Sequence, residues 1–345
     1  MKAMFALLAF CLFLLVAPAA AQQQPKPLFA ASEPIHITIH APLSKLINDR
    51  TTNTAVAGTL TDPSGQLLPI AVTLRGHVNR LAETCEFPPL RVEFTTPPPS
   101  TSVFAGQKKL KLMTHCHSGS SAQQYLLLHY ATYQMYNLLT PLSFRARLAS
   151  VDYRDAGGRI IASSAAFFLE DEKDLAMRNG LKEARAGDAI PLEWLSPIDA
   201  ARAALFEDMI ANHDWSMRAG PAGEECCHNF KLLGVGAPGM TVAVPYDFDF
   251  SGLVGDPNAL APEQLHIGSV RERVYRGYCA HNAEALTIAR QMRGARPQLT
   301  AAITSIPGLD SRSTAKATAF LDGFFADIAS DDIVTAKLLK RCVSG

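Results

Sequence analysis

The sequence predicts an α+β chain with a sheet-rich front and a mainly helical back. Three observations predict it. Between Pro34 and Leu169, short apolar runs alternate with the two-residue period of half-buried strands. From Ser196 onward the apolar spacing becomes helical. Two carboxylates, Asp247 and Asp249, then stand where the apolar run Met240–Ala243 stops, each flanked by aromatics. A carboxylate is disfavoured in strands and costly to bury alone, so this pair needs a partner. Strand alternation would turn both to one face, giving oxygen donors of the kind a hard divalent cation takes. The alternative is a pair of carboxylates bridged to arginines or capping a turn.

In chain order, strands are expected at Pro34–His40, Leu68–Arg75, Leu90–Phe94 and Lys108–Met113, forming a mostly antiparallel sheet. Three consecutive prolines place a loop over Thr95–Ser102. Ser120 or Ser121 can cap a helix running from about Gln123 to Leu139, which contains no Asp or Glu. A hairpin over Ala146–Tyr153 and Ile160–Leu169 turns at Asp155–Gly158, and Glu170–Arg178 is a short helix stopped by Asn179–Gly180. Pro197–Ala211 is an amphipathic helix, and further helices are expected at 282–293, 313–328 and 331–341.

Lys2, the apolar run Ala3–Val16 and the small residues ending at Ala21 have the layout of a secretory leader over 1–21. Residues 22–33 read as a flexible lead-in. No later run is long enough to cross a membrane, which predicts an exported protein, periplasmic or extracellular. Lys and Arg total 32 against 32 Asp and Glu, a balance that excludes a basic nucleic-acid binder and an anionic-membrane binder. Beyond the leader stand Cys85, Cys116, Cys226, Cys227, Cys279 and Cys342, an even count that predicts disulfides. Cys85 and Cys116 flank neighbouring strands and suit a staple. A zinc site is the alternative for Cys226-Cys227-His228, although adjacent cysteines lack the usual ligand spacing.

Asp214 after a helix, Asn229 before a short apolar run and Asp247 at a strand end are the residue types that phosphoryl transfer uses. One carboxylate orients the attacking hydroxyl, while an Asn and an Asp hold the metal on the phosphates. Asn212-His213-Asp214-Trp215, His228-Asn229-Phe230 and Val244-Pro245-Tyr246-Asp247-Phe248-Asp249 together resemble the CotH-type spore-coat kinases. Leu74-Arg75-Gly76 and Ala166–Glu170 occur in that family's order, and the resemblance spans roughly residues 34–255. It implies a two-lobed protein-kinase-like fold, with a sheet-rich N-terminal lobe over 34–180 and a mainly helical C-terminal lobe over 181–345. It also implies ATP or another nucleotide with Mg²⁺ or Mn²⁺, and a protein or small-molecule phosphate acceptor.

By the same resemblance Asp214 matches the catalytic base, and Asn229 and Asp247 the metal ligands, with Asp249 accessory. Arg75, Lys109 and Lys111 are candidates for the phosphate-facing cation, and Glu170 for its acidic partner. The fifteen-residue step from Asp214 to Asn229 requires the insert Ala219–Glu225 to loop out. Arg271, Arg273 and Arg276 either receive phosphate or an acidic partner, or neutralise Asp247 and Asp249. Trp215 and His213 are expected to pack, and His228 to be hydrogen-bonded. Two other readings remain: a pseudokinase that binds envelope or extracellular partners, and a sugar-nucleotide transferase using Asp247 and Asp249.

Overall fold

The computed structural model describes residues 24–76 and 78–344. The expected leader over 1–21 lies outside the described residues. The front of the chain runs β1 (Ile35–His40), α1 (Leu43–Asn48), β2 (Val56–Thr61), β3 (Leu67–Leu74), β4 (Leu90–Phe94), β5 (Lys109–Met113), α2 (Ser120–Leu139), β6 (Ala146–Arg154) and β7 (Ile160–Leu169). Next come α3 (Glu172–Arg178), α4 (Pro197–Ile210), β8 (Phe230–Gly234) and β9 (Thr241–Pro245). The chain ends with α5 (Asn282–Gly294), α6 (Arg296–Thr304), α7 (Ser311–Asp327) and α8 (Asp331–Lys337).

Among the described residues, seven strands close into one barrel in the order β1-β2-β3-β4-β5-β7-β6. All neighbours are antiparallel except β1 and β6, which run parallel with Ile35 opposite Ala149 and His40 opposite Arg154. This closed mixed barrel, with a two-stranded β8–β9 sheet and eight helices, overturns the expected two-lobed protein-kinase-like fold. The physical reason is the β1–β6 pairing. It joins residues more than a hundred positions apart, which local alternation cannot specify, and it removes the free edges an open sheet would leave. The strand that alternation missed is β2, whose Gly58 and Thr59 dilute its apolar signal.

Apolar residues alternate between two cores. Leu110 and Leu112 of β5 and Phe168 of β7 fill the barrel, while Met113 and Phe167 point outward beneath the helices. Both faces of the end of β7 are therefore buried, which explains its continuous apolar run Ala165–Leu169. The same alternation puts Lys111 on the outer face with Met113. α2 lies across that face, with Tyr130 and Tyr133 against Phe167, and starts at Ser120 without a serine side-chain cap.

Among the described residues three disulfides form: Cys85–Cys116, Cys226–Cys227 and Cys279–Cys342. The first is the expected staple across β4 and β5. The second consumes both thiols of the zinc alternative and ties neighbouring residues, so it does not pin the insert to another element. No helix among the described residues is long and apolar enough to cross a membrane. Disulfides are the chemistry of oxidising compartments, and both features are compatible with an exported protein.

Candidate functional site

The site is assembled by the short hairpin β8–β9. Phe230 pairs with Pro245, so Asn229 and Tyr246 are the next opposed residues, and the Tyr246 N–H donates to the Asn229 carbonyl at 3.0 Å. Asn229 and Asp247 therefore sit side by side at the hairpin's open end. Both have left-handed backbone, with φ of 53° and 67°. Asn and Asp tolerate that region better than most residues because their short polar side chains bond locally. Asp247 and Asp249 lie beyond the last strand residue, so a turn, not strand alternation, brings their charges together.

Asp214 reaches this end by a second pairing. The Ser216 N–H donates to the His228 carbonyl, and His228 N–H to Ala219, which folds the 220–225 insert outward. Asn229 Nδ2 then donates to Asp214 Oδ2 at 3.0 Å, and His228 Nε2 lies 2.6 Å from Asp214 Oδ1. Burial works to raise the Asp214 pKa. The hydrogen bond and charge of His228 and the amide of Asn229 outweigh it, holding the carboxyl below its usual range. His228 is pushed up in turn, chiefly by its bond to Asp214.

α2 holds the acidic turn from behind. The Asp247 N–H donates to Tyr133 Oη at 3.0 Å, and the Phe248 N–H to His129 Nε2 at 3.3 Å. His129 is fully enclosed, and burial drives its pKa down to about 3, so Nε2 is an unprotonated acceptor. Gly252 closes the turn where a side chain has no room: an added Cβ would lie 2.7 Å from the Val270 carbonyl oxygen and 2.9 Å from Arg271 Cα.

Opposite the acids stand cations of the barrel's outer face. Desolvation, with the charges of Arg75 and Lys231, lowers the Lys111 pKa to about 8. Its Nζ lies 5.0 Å from the Tyr246 ring centre, and Lys231 Nζ 5.5 Å from the same ring. Arg75 touches Met113 Sδ at 3.6 Å, while its buried Nε has no partner. The Asp247 carboxyl is raised by desolvation against the pull of Arg75 and Lys111. Yet among the described residues none of these three side chains forms an ion pair. Asp249 is raised to about 8 by desolvation and by Asp247, and accepts a 3.0 Å bond from Asn79.

Other expected residues sit elsewhere. Glu170 does not face Lys111: it is buried in a two-point pair with Arg178, at 3.1 and 2.9 Å, and accepts the Arg145 N–H. Lys109 lies at 3.7 Å from Asp171. Glu172 lies 3.6 Å from Lys231. Arg271, Arg273 and Arg276 do not pair with Asp247 or Asp249. They donate to the carbonyls of Gly252, of Met209 and Phe320, and of His213 and Trp215. They are clamps on the scaffold. Trp215 packs on Phe230, and His213 bonds the Glu272 carbonyl.

No protein-family model matches the chain, and no curated protein matches it.

Among the described residues, no three His, Cys, Asp or Glu side chains gather as a metal cage. Magnesium needs no such cage, because it binds through one or two carboxylates, substrate phosphates and retained waters. The donors at the hairpin end fit that habit. Among the described residues the Asp247 carboxylate is unpaired, and the Asn229 amide nitrogen is spent on Asp214 while its oxygen is not. Sequence reading missed Lys231, Glu172, Asn79, Tyr133 and His129. His129 and Tyr133 are four apart on a helix without acids, a spacing that marks one face but not what it holds.

Proposed function

We propose that this site transfers a phosphoryl group from a nucleotide to a hydroxyl of a protein or small molecule, in an exported, periplasmic or extracellular setting. The supporting observation is the gap between Asp247 on one side and Lys111 and Arg75 on the other, where opposite charges face each other without an ion pair. A polyphosphate with a divalent cation complements both sides. Asp247 and the Asn229 oxygen would hold that cation, with Asp249 accessory, and when bound it would offset phosphate charge. Lys111 and Arg75 neutralise the phosphate oxygens. Asp214, fixed by His228 and Asn229, accepts the hydrogen bond of the attacking hydroxyl. The reading rests on this site and on the resemblance of its motifs to CotH-type kinases, not on a kinase-like fold.

One observation favours a second reading. Both Asp214 oxygens already accept bonds, from His228 and Asn229, an arrangement suited to a pseudokinase-type module that binds nucleotide without turnover. One experiment addresses both. The purified protein is incubated with ATP and Mg²⁺ or Mn²⁺, and its melting temperature and phosphate incorporation are measured beside Asp247→Asn. A thermal shift with incorporation supports transfer, and a shift without incorporation supports the binding module. Absence of both removes both readings.

A further inference from the structure

A separate pocket of about 510 Å³ opens between the end of α4 and α8. It is lined by Asp208, Arg273, Tyr275, Lys337, Lys340 and Arg341, among others. Asp208 is 4 % exposed, and among the described residues its carboxylate accepts no hydrogen bond and forms no ion pair. Tyr275 is 2 % exposed, and its buried hydroxyl has no partner either. The Tyr275 oxygen is closed off against Gly277, whereas the Asp208 carboxylate keeps slight exposure, and a nearly enclosed carboxylate without a donor carries a cost that a bound donor removes.

The protein's own cations do not close the gap. Arg273 lines the pocket but spends its donors on the Met209 and Phe320 carbonyls, with its guanidinium 4.0 Å from the Phe320 ring centre. Lys337 is engaged by Asp327 at 2.7 Å. Lys340 and Arg341 are exposed on the rim, and neither makes an ion pair among the described residues. The pocket thus combines a nearly enclosed carboxylate that lacks a donor with two exposed rim cations that make no ion pair among the described residues.

We propose that this pocket binds a small organic anion that also carries an N–H or O–H donor, the donor on Asp208 and the anionic group on Lys340 and Arg341. Burial raises the Asp208 carboxyl to about 7, against the pull of Arg273. The shared chemistry fits an amino acid, through its ammonium, or a polyol phosphate, through its hydroxyls.

The test is titration calorimetry on the whole protein with L-glutamate, glycerol 3-phosphate and inorganic phosphate. One of the two donor-bearing anions is expected to bind at least about tenfold tighter than inorganic phosphate, a difference of one decade in Kd. Arg341→Gln with Lys340→Gln, on an exposed rim that folding does not need, is expected to weaken it by about tenfold or more. Asp208→Asn separates the two sources: it weakens an ammonium ligand, whose charge it no longer meets, and spares a hydroxyl ligand. The proposal is overturned if neither anion binds, if inorganic phosphate binds as tightly, or if the rim variant binds like the wild type.

Discussion

Asn229 Nδ2 lies 3.0 Å from Asp214 Oδ2, although the two residues are 15 positions apart. The contact exists because the Ser216–His228 pairing expels the insert between them, so a long sequence separation becomes a side-chain hydrogen bond. Replacing Asn229 removes two donors from Asp214, one to its carboxylate and one to its carbonyl. Asn229→Gly keeps the left-handed backbone and should cost about 1 kcal/mol, whereas Asn229→Ala adds the backbone penalty and should cost about 2 kcal/mol. Chemical denaturation of both variants checks the order. Equal losses would mean that the backbone conformation at 229 carries no cost.

Lys111 makes nucleotide binding pH-dependent under the proposed function. Its pKa is depressed to about 8, so the ammonium is present below that pH and lost as pH rises through it. An ordinary lysine would keep its charge two units higher. The thermal shift given by ATP and Mg²⁺ should therefore shrink between about pH 7 and 9. Lys111→Met should show a smaller shift with no such slope. A wild-type shift that is flat to pH 9 would remove Lys111 from the phosphates.

The local elements were legible because each is written in a short period. Leu90–Phe94 alternates cleanly and forms β4 with those bounds, and Pro197–Ala211 becomes α4 almost unchanged. The barrel was not legible, since its closing contact between β1 and β6 depends on two strands meeting across the whole front of the chain. At the site, residue types announced Asp214, Asn229 and Asp247, and the hairpin register brings them to one end. Glu170 misled because an acid after a strand says nothing of its partner. Arg178, on the facing helix α3, takes it. His129 and Tyr133 escaped because their role is to bind backbone N–H groups, which leaves no charge pattern in a sequence.

His129 and Tyr133 should matter through position, not charge. His129→Phe keeps a ring against Phe167 but leaves the Phe248 N–H without its acceptor, and Tyr133→Phe does the same to the Asp247 N–H. Each unsatisfied buried N–H should cost about 1–3 kcal/mol. If Asp247 serves the nucleotide's cation, the Tyr133→Phe variant should also lose affinity for Mg²⁺–ATP, measured by calorimetry on folded protein. A stability loss with unchanged affinity would confine Tyr133 to packing.

Cys279 and Cys342 close a loop of 63 residues that contains α5, α6, α7 and α8. Links of this kind typically contribute about 2–4 kcal/mol by restricting the unfolded chain. The double variant Cys279→Ser, Cys342→Ser should lose stability in that range when unfolded in urea. Cys226 and Cys227 close no loop between elements, so replacing them should cost less. The reverse order would show that the helical layer holds together without its covalent tie.

Asp208 sets a pH dependence of stability that can be separated from any ligand. Its carboxyl is raised to about 7 in the folded protein by burial, above the 3.8 of an ordinary aspartate. The folded state therefore holds the proton more tightly than the unfolded chain. Stability from this group is fully present below about pH 4 and is lost as pH rises toward 7, after which the loss is constant. Asp208→Asn removes the titration while keeping the shape. Its stability relative to wild type should rise between about pH 4 and 7 by about 2–4 kcal/mol and then level off. Urea unfolding at a series of pH values, without added anions, reads this difference directly. A difference that stays flat, or falls with pH, would mean that the carboxylate is satisfied in the folded protein, which would also remove the main reason for a ligand at the floor of that pocket.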